Sequence, residues 1–390
     1  MNEKHTIPPA VLIAGGIVLE PRELGVRDIL IAGGIILAME PKIDQRAVET
    51  LFPDIRILDV SGLLVTPGLI DQHNHFNGAG GEGGPAFRTP PAQLSSFVRA
   101  GITGAVGLLG TDGFSRSLTE LLAKARGLEV EGLSTWIYTG SYQIPSPTIT
   151  GSVGRDLTVI DKVIGVKIAL SDHRSPHPTT DELRRLISDV RVAGLLSGKP
   201  GVVCIHMGSE PSMLEPLREA LSGLDIPWRH LLPTHVSRTK ELLADAIRLV
   251  KDGGYADITA DKKTPAAIES FVRAGADMER VTLSSDGNGS MPRFSERGEF
   301  LGMGIGSPDS LLRAIRTTLE AKIVSRETAF SMVTANVAKQ LGLNGKGHIA
   351  PGYHADLAVL SPELELYHLI GKGQFMMKNK KILRRGTFEI

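Results

Sequence analysis

Two histidines separated by one residue close an apolar run, Leu63-Leu64-Val65-Thr66-Pro67-Gly68-Leu69-Ile70-Asp71-Gln72-His73-Asn74-His75. In an extended strand residues two apart share a face, so His73 and His75 project together while Asn74 points away. Two imidazoles placed in this way can hold one divalent metal ion. Four more residues of metal-site type follow other apolar runs: Lys167 after Val163-Ile164-Gly165-Val166, His206 after Val202-Val203-Cys204-Ile205, His235 after Leu231-Leu232-Pro233-Thr234, and Asp286 after Val281-Thr282-Leu283-Ser284-Ser285. Singly, each has an ordinary explanation. A strand-end histidine is usually a hydrogen-bonded structural residue, a lysine in an apolar run usually snorkels, and an aspartate before Gly287-Asn288-Gly289 usually serves a turn. Together they form a ligand set, since four histidines and one aspartate can serve two zinc-like ions. Two such dications, about 3.5–4 Å apart, repel unless anions bridge them. A neutral lysine amine, its pKa lowered by burial, can react with carbon dioxide to give a carbamate, a carboxylate on a long arm. Lys167 is the candidate bridge in that form (N6-carboxylysine), with a hydroxide as the second.

These residues need elements that bring them to one place. Residues 62–346 alternate short apolar runs (64–70, 105–109, 135–139, 163–169, 201–205, 230–234, 256–259 and 281–284) with longer amphipathic ones such as 91–100, 118–126, 181–193, 211–221, 240–251 and 264–274. Eight strands each followed by a helix predict a (β/α)8 TIM-like barrel, whose active site lies at the C-terminal ends of its strands. An open doubly wound sheet would also alternate, but no Gly-x-Gly-x-x-Gly follows the first strand. The two ends of the chain differ from this middle. Val11-Leu12-Ile13-Ala14-Gly15-Gly16-Ile17-Val18-Leu19 nearly recurs as Ile29-Leu30-Ile31-Ala32-Gly33-Gly34-Ile35-Ile36-Leu37, and each copy reads as strand, Gly-Gly turn, strand. Residues 55–60, 355–360 and 369–377 are also strand-like. The expectation is a small β-sandwich domain built from 1–61 plus 347–390, with the barrel over 62–346.

Composition narrows the partners. The chain has 390 residues, and its 43 Lys+Arg balance its 43 Asp+Glu, which gives no electrostatic support for a nucleic-acid or anionic-membrane partner. No run approaches the ~20 apolar residues of a membrane span. The apolar N-terminal run from Pro8, after Lys4, reads as a strand pair and not as a signal peptide. A single cysteine, Cys204, excludes an internal disulfide framework and suits a reducing cytoplasm. On the strand it shares a face with His206, and it reads as a buried inert thiol.

The His-x-His strand, strand-end lysine, two further strand-end histidines and final aspartate resemble the binuclear-metal amidohydrolase superfamily. Within it the chain resembles the bacterial isoaspartyl (β-aspartyl) dipeptidases nearly end to end. That resemblance rests on Gly80-Gly81-Glu82-Gly83-Gly84-Pro85, Gly107-Leu108-Leu109-Gly110-Thr111-Asp112, Ser171-Asp172-His173-Arg174-Ser175, Leu232-Pro233-Thr234-His235-Val236 and Leu283-Ser284-Ser285-Asp286-Gly287-Asn288-Gly289-Ser290. It implies that His73, His75 and Asp286 bind one zinc, His206 and His235 the second, and carbamylated Lys167 both. It also nominates Tyr142 as the donor to the tetrahedral oxyanion, and it implies a homo-oligomer, commonly an octamer.

Asp286, touching metal and hydroxide together, would accept the water proton and pass it to the departing amine. A β-aspartyl dipeptide carries a free α-amine and two carboxylates. Glu82, on its glycine loop, suits the amine, and Arg174 and Arg238 suit the carboxylates. The resemblance adds Thr111 and Ser290 to the polar lining, while His173 and His177 read as loop structure. Two rivals stay open: a cyclic-amide hydrolase of the dihydropyrimidinase or dihydroorotase type on the same metal cage, and a non-catalytic scaffold of the same fold.

Overall fold

The computed structural model describes residues 10–294 and 300–389. Residues 1–9 of the expected β-domain, with Lys4, Pro8 and Pro9, lie outside the described residues. The chain opens with β1 (Val11–Glu20), β2 (Arg22–Ala32), β3 (Ile35–Glu40), β4 (Arg56–Asp59) and β5 (Leu64–Pro67). The two Gly-Gly pairs take different structures. Gly33-Gly34, both at positive φ, turn the hairpin that pairs Ala32 with Ile35. Gly15-Gly16 instead form a bulge inside one continuous strand, where the register against β2 shifts between Ile13 and Gly16. Two contacts favour the bulge. The Gly15 amide donates to Asp28 Oδ1 at 2.8 Å, and a Cβ on Gly16 would lie 2.5 Å from Val65. The expected turn there is therefore corrected to a bend in a strand.

The run expected as one barrel strand, 64–70, is also two strands. Pro67 ends β5, and the chain turns at Gly68 into β6 (Leu69–Asn74). Gly68 donates its amide to Asp356 O at 2.8 Å, and a Cβ there would lie 2.2 Å from Thr103 Oγ1. Only glycine fits this crossing point between the two sheets.

From β6 onward the chain follows the barrel order: β7 (Ile102–Gly107), β8 (Ser134–Gly140), β9 (Val163–Leu170), β10 (Val202–Met207), β11 (Leu231–Thr234), β12 (Ala256–Thr259) and β13 (Val281–Ser284). Each is followed by a helix. Val153–Val159 follows β8 and Ser310–Glu320 follows β13, completing the set of eight. Strands β6 to β11 pair in parallel and in sequence, as do β12 and β13. The ring closes through the Val236 N–H to Asp257 O and through a parallel bridge from Asn74 to Gly287.

Alternation along the strands separates two apolar layers. Ile70, Val106, Tyr138, Ile164, Cys204 and Leu232 fill the barrel, while Ala105, Ile137, Val203, Ile205 and Leu283 pack outward against the helices. The helix Thr180–Ser197 shows how local signals agree with this packing. Thr179 and Glu182 form a capping box, Gly198 ends the helix at φ 66°, and Leu183, Ile187 and Val190 bury one face.

After β13 come the hairpin strands β14 (Ser290–Phe294) and β15 (Phe300–Ile305), then β16 (Leu357–Leu360), β17 (Leu366–Gly371), β18 (Gln374–Lys378) and β19 (Lys381–Ile382). Among the described residues β16 pairs with β5, so both ends of the chain share one nine-stranded sheet, in the order β19-β18-β17-β16-β5-β1-β2-β3 with β4 beside β1. It encloses its own core of Ile13, Ile29, Ile31, Val65, Val359 and Ile370. No helix among the described residues is long and apolar enough to cross a membrane.

Candidate active site

The first pair of ligand-type residues is placed by a second bulge. Between Asp71 and Asn74 β6 carries one residue more than β7 does between Ala105 and Gly107. Gln72 and His73 therefore both face the interior: Gln72 reaches Asp257 Oδ1 at 2.7 Å, and His73 packs against His235. Asn74 points outward to Asp71 Oδ2, and His75 faces inward again. Asp71 then joins the end of β6 to the end of β13. Its carboxylate accepts from Ser285 N at 3.0 Å and Ser285 Oγ at 2.5 Å, which aligns His73 and His75 with Asp286.

Asp286 Oδ1 lies 3.1 Å from His75 Nε2 and 3.5 Å from His73 Nε2. The backbone reaches this position at φ 52°, and His235 sits at φ 62°, both in the left-handed region that most side chains avoid. Such strain at two strand ends persists only where the surroundings enforce it. A Cβ on Gly289 would lie 2.6 Å from Asp286 Oδ1 and one on Gly306 2.0 Å from Asp286 O, so glycine is required on both sides.

The other imidazoles complete the group. Ring centroids are 4.9 Å apart for His73 and His235, and 4.6 Å for His206 and His235. His235 Nδ1 is held by Thr259 Oγ1 at 2.6 Å. His206 Nδ1 meets the Tyr142 hydroxyl at 2.6 Å, and its Nε2 lies 3.0 Å from Asp172 Oδ2. Lys167 is fully buried, and its polar contact among the described residues is Cys204 Sγ at 3.8 Å. Five of the six candidate ligands thus gather at the C-terminal ends of β6, β10, β11 and β13, and Lys167, expected at a strand end, instead projects from within β9, which runs on to Leu170.

The electrostatics suit metal binding. Burial lowers His73 and His235 well below the usual histidine value and pushes His206 down to about 3, so all three are neutral lone-pair donors at pH 7. Burial opposes ionisation of Asp286, but the hydrogen bond to His75 and the other imidazoles hold its carboxyl below the usual range. Burial also lowers the Lys167 amine, toward its reactive neutral form. Burial raises the Tyr142 phenol, keeping it a hydroxyl donor. Ligand atoms of His73, His75 and Asp286 all lie within 4.8 Å of one another, and the Nδ1 atoms of His73 and His75 have no protein partner among the described residues. This donor set fits a divalent metal.

A cavity of about 500 Å³ opens over the cluster, lined by His75, Glu82, Thr111, Tyr142, Arg174, His206, Arg238, Asp286 and Ser290. Glu82 is its hub. Oε1 accepts from Thr111 Oγ1 and Arg174 Nη1, each at 3.1 Å, and Oε2 accepts from Ser290 Oγ at 3.3 Å. The Arg174 guanidinium lies 5.5 Å over the Tyr142 ring, and Arg238 Nη1 is 3.5 Å from Asp172 Oδ2. The residues singled out for substrate contact are therefore at this mouth, whereas His73, Lys167 and His235 lie beneath it, outside the cavity lining. His177 pairs with Glu210 at 3.1 Å, whereas His173, read as loop structure, is 84% exposed and also lines the rim of this cavity. Cys204 is buried, and burial pushes its thiol up to about 11.

Sequence reading missed four positioning groups: Asp71, Asp172, Thr259 and Arg116. Arg116 is buried and donates to the carbonyls of Asn77, Ala79 and Thr89, fixing the base of the loop that carries Glu82. Asp71 and Asp172 stood inside recognised motifs, which was the available signal. Thr259 and Arg116 carried none.

Comparison with known proteins agrees with this geometry. The amidohydrolase family model matches residues 64–384. A β-aspartyl dipeptidase from Fervidobacterium islandicum, solved in complex with β-Asp-Leu, superimposes with a TM-score of 0.91 at 40% identity, covering 98% of this chain and 99% of that one. A dihydropyrimidinase from Brevibacillus agri shares the fold at a TM-score of 0.68 and 16% identity, covering 97% of each chain. An allantoinase from Rubrobacter xylanophilus is 24% identical, over 87% of this chain and 83% of its own. The chain belongs to the amidohydrolase family and, by its identity along nearly the whole length, to the β-aspartyl dipeptidase group within it.

Proposed function

We propose that this enzyme hydrolyses β-aspartyl dipeptides, releasing aspartate and the second amino acid, at a centre of two zinc ions. His73, His75 and Asp286 would hold one ion, His206 and His235 the other, and Lys167, as its carbamate, both. Bound metals would supply a nucleophilic hydroxide near neutral pH and polarise the scissile carbonyl. Asp286 takes the proton from the attacking water and returns it to the departing amine, which its ionised state and its place beside His75 allow. The Tyr142 hydroxyl, which stays protonated, donates to the oxyanion.

One observation carries the substrate assignment: the Glu82–Arg174 ion pair across the cavity mouth. It sets an anion beside a cation above the imidazole cluster, the complement of the α-amine and α-carboxylate of the aspartyl half. Glu82 would take the amine, with Thr111 and Ser290 steadying its two oxygens. Arg174 and Arg238 would take the carboxylates of the aspartyl half and of the leaving residue. Recognition of β-Asp-Leu by the Fervidobacterium islandicum enzyme supports this reading. A cyclic-amide substrate has no free α-amine and would leave Glu82 without a role. The enzyme is further proposed to be a cytoplasmic homo-oligomer, an octamer by family resemblance.

Turnover of β-Asp-Leu, α-Asp-Leu and dihydroorotate by the wild type and by Glu82→Gln tests this function. The expected order places β-Asp-Leu first. Losing a charge-assisted hydrogen bond should lower kcat/KM by about 10- to 100-fold, with metal content unchanged. Equal turnover of β-Asp-Leu by Glu82→Gln contradicts the assignment, and faster turnover of dihydroorotate by the wild type favours the cyclic-amide reading. A wild type without metal or turnover would be a scaffold.

A further inference from the structure

Asp172 has no part in the chemistry above, yet three groups that do converge on its carboxylate. It follows β9, and its side chain is 2% exposed. Oδ1 accepts from the Arg174 backbone N–H at 2.9 Å and from Arg174 Nε at 2.8 Å. Oδ2 accepts from Arg174 Nη2 at 2.8 Å and lies 3.0 Å from His206 Nε2. Arg238 Nη1 approaches Oδ2 at 3.5 Å, and exposed His173 approaches Oδ1 at 3.5 Å. Arg174 Nη2 and His206 Nε2 lie 3.2 Å apart, and both face the same carboxylate oxygen.

The backbone is built to aim this side chain. Ser171 sits at φ 52°, held by its Oγ bonding Met213 O at 2.7 Å and Ser212 Oγ at 2.9 Å. The Ser175 amide closes the turn onto Asp172 O at 2.7 Å. The loop after β10 presses in from the other side, where a Cβ on Gly208 would lie 2.5 Å from Asp172 Cβ. A strained residue held from several directions marks a position fixed for function.

The consequences for His206 and Arg174 are separate. A carboxylate facing Nε2 fixes the histidine proton on that nitrogen and leaves Nδ1 bare. With that tautomer Nδ1 can accept from the Tyr142 hydroxyl, 2.6 Å away, and is the nitrogen available to a metal. Holding Nε and Nη2 of Arg174 turns Nη1 to the cavity, where it meets Glu82. We propose that Asp172 is a positioning residue that sets the metal-ligating tautomer of His206 and the carboxylate-binding face of Arg174 together, coupling metal affinity to substrate affinity through one buried carboxylate.

The test uses the zinc-loaded enzyme and the near-isosteric Asp172→Asn, which keeps an acceptor for the Arg174 amide. Chelator competition should show zinc bound about 10- to 100-fold more weakly. KM for β-Asp-Leu should rise about tenfold, the loss of one well-placed charged hydrogen bond. A role in folding alone would lower the melting temperature and leave the KM of the folded fraction unchanged. Wild-type zinc affinity and KM in the variant would overturn the proposal. Should the variant not fold, nitrogen-15 NMR of histidine-labelled, metal-free wild type decides: His206 protonated at Nε2 is expected, and protonation at Nδ1 overturns it. The KM arm rests on the dipeptidase function, whereas the zinc and tautomer arms do not. A wild type inert to β-Asp-Leu would therefore sink that function while these two arms still judge Asp172.

Discussion

Among the described residues two lysines are buried, at opposite ends of the barrel, and they are treated differently. Lys346 is 6% exposed and donates to Asp356 Oδ2 and, at 2.7 Å, to Ser134 Oγ. Asp356 also accepts the Lys372 amide at 2.7 Å. The pair ties the chain ahead of β16 to the start of β8, and so the small sheet to the barrel. Lys167 is fully buried and reaches only Cys204 Sγ among the described residues, at 3.8 Å. Burial lowers both amines, but Asp356 works against that shift at Lys346. At Lys167 Asp286 and Asp257 also oppose the shift, but neither is hydrogen-bonded to the amine, and the thiol that is lies 3.8 Å away and is itself pushed up to about 11 by burial. A buried lysine with a carboxylate stays charged and holds two parts of a fold together. One without a carboxylate is driven toward a neutral, nucleophilic amine.

Replacing each lysine by methionine should break the two regions in opposite ways. Lys167→Met should lower kcat/KM for β-Asp-Leu by about a thousandfold or more, because several kcal/mol of metal-supplied stabilisation are lost. With both proteins metal-free, its urea midpoint should equal or exceed that of the wild type, since an apolar side chain replaces an unpaired buried amine. Lys346→Met should instead lose about 3–5 kcal/mol of stability, because Asp356 is left buried without its partner. The folded fraction should turn over substrate as the wild type does. If Lys346→Met costs activity and not stability, the contrast between the two sites is wrong.

A smaller effect sharpens the same contrast through pH. His206 has a folded value of about 3 against about 6.5 unfolded, so protons bind the unfolded chain first. The stability this histidine contributes is complete above about pH 6.5 and is lost as pH falls toward 3. Between pH 7 and pH 5 the metal-free protein should lose about 2 kcal/mol from His206 alone, with His73 and His235 adding losses of the same sign. Denaturant midpoints across that range measure the slope, and a flat profile would contradict the buried neutral cluster.

The ligand set was legible in the sequence because each member lies in or near the end of an apolar, strand-like run, and a barrel brings such runs together. The side-by-side projection of His73 and His75 followed from alternation. The bulge ahead of them, which places Gln72 on the same side, did not. Gly15-Gly16 and Gly33-Gly34 are identical dipeptides, and only tertiary partners, Asp28 and Val65, make the first a bend and the second a turn. Gly68 divides an unbroken apolar run because Thr103, on the next strand, leaves no room for a side chain. The supporting polar groups were hidden for a related reason. Asp71 meets Ser285 across 214 positions and Arg116 meets Ala79 across 37, so no local pattern announces either contact. Composition and periodicity reveal which residues could act, whereas their positioning depends on pairings that only the closed barrel creates.

An anomalous-diffraction structure of the zinc-loaded enzyme tests the central claim most directly. Two metal peaks about 3.5–4 Å apart are predicted among His73, His75, His206, His235 and Asp286, with Lys167 Nζ extended by a carboxylate that reaches both. A single peak, or a bare Lys167 amine still directed at Cys204 beside a loaded site, would contradict it.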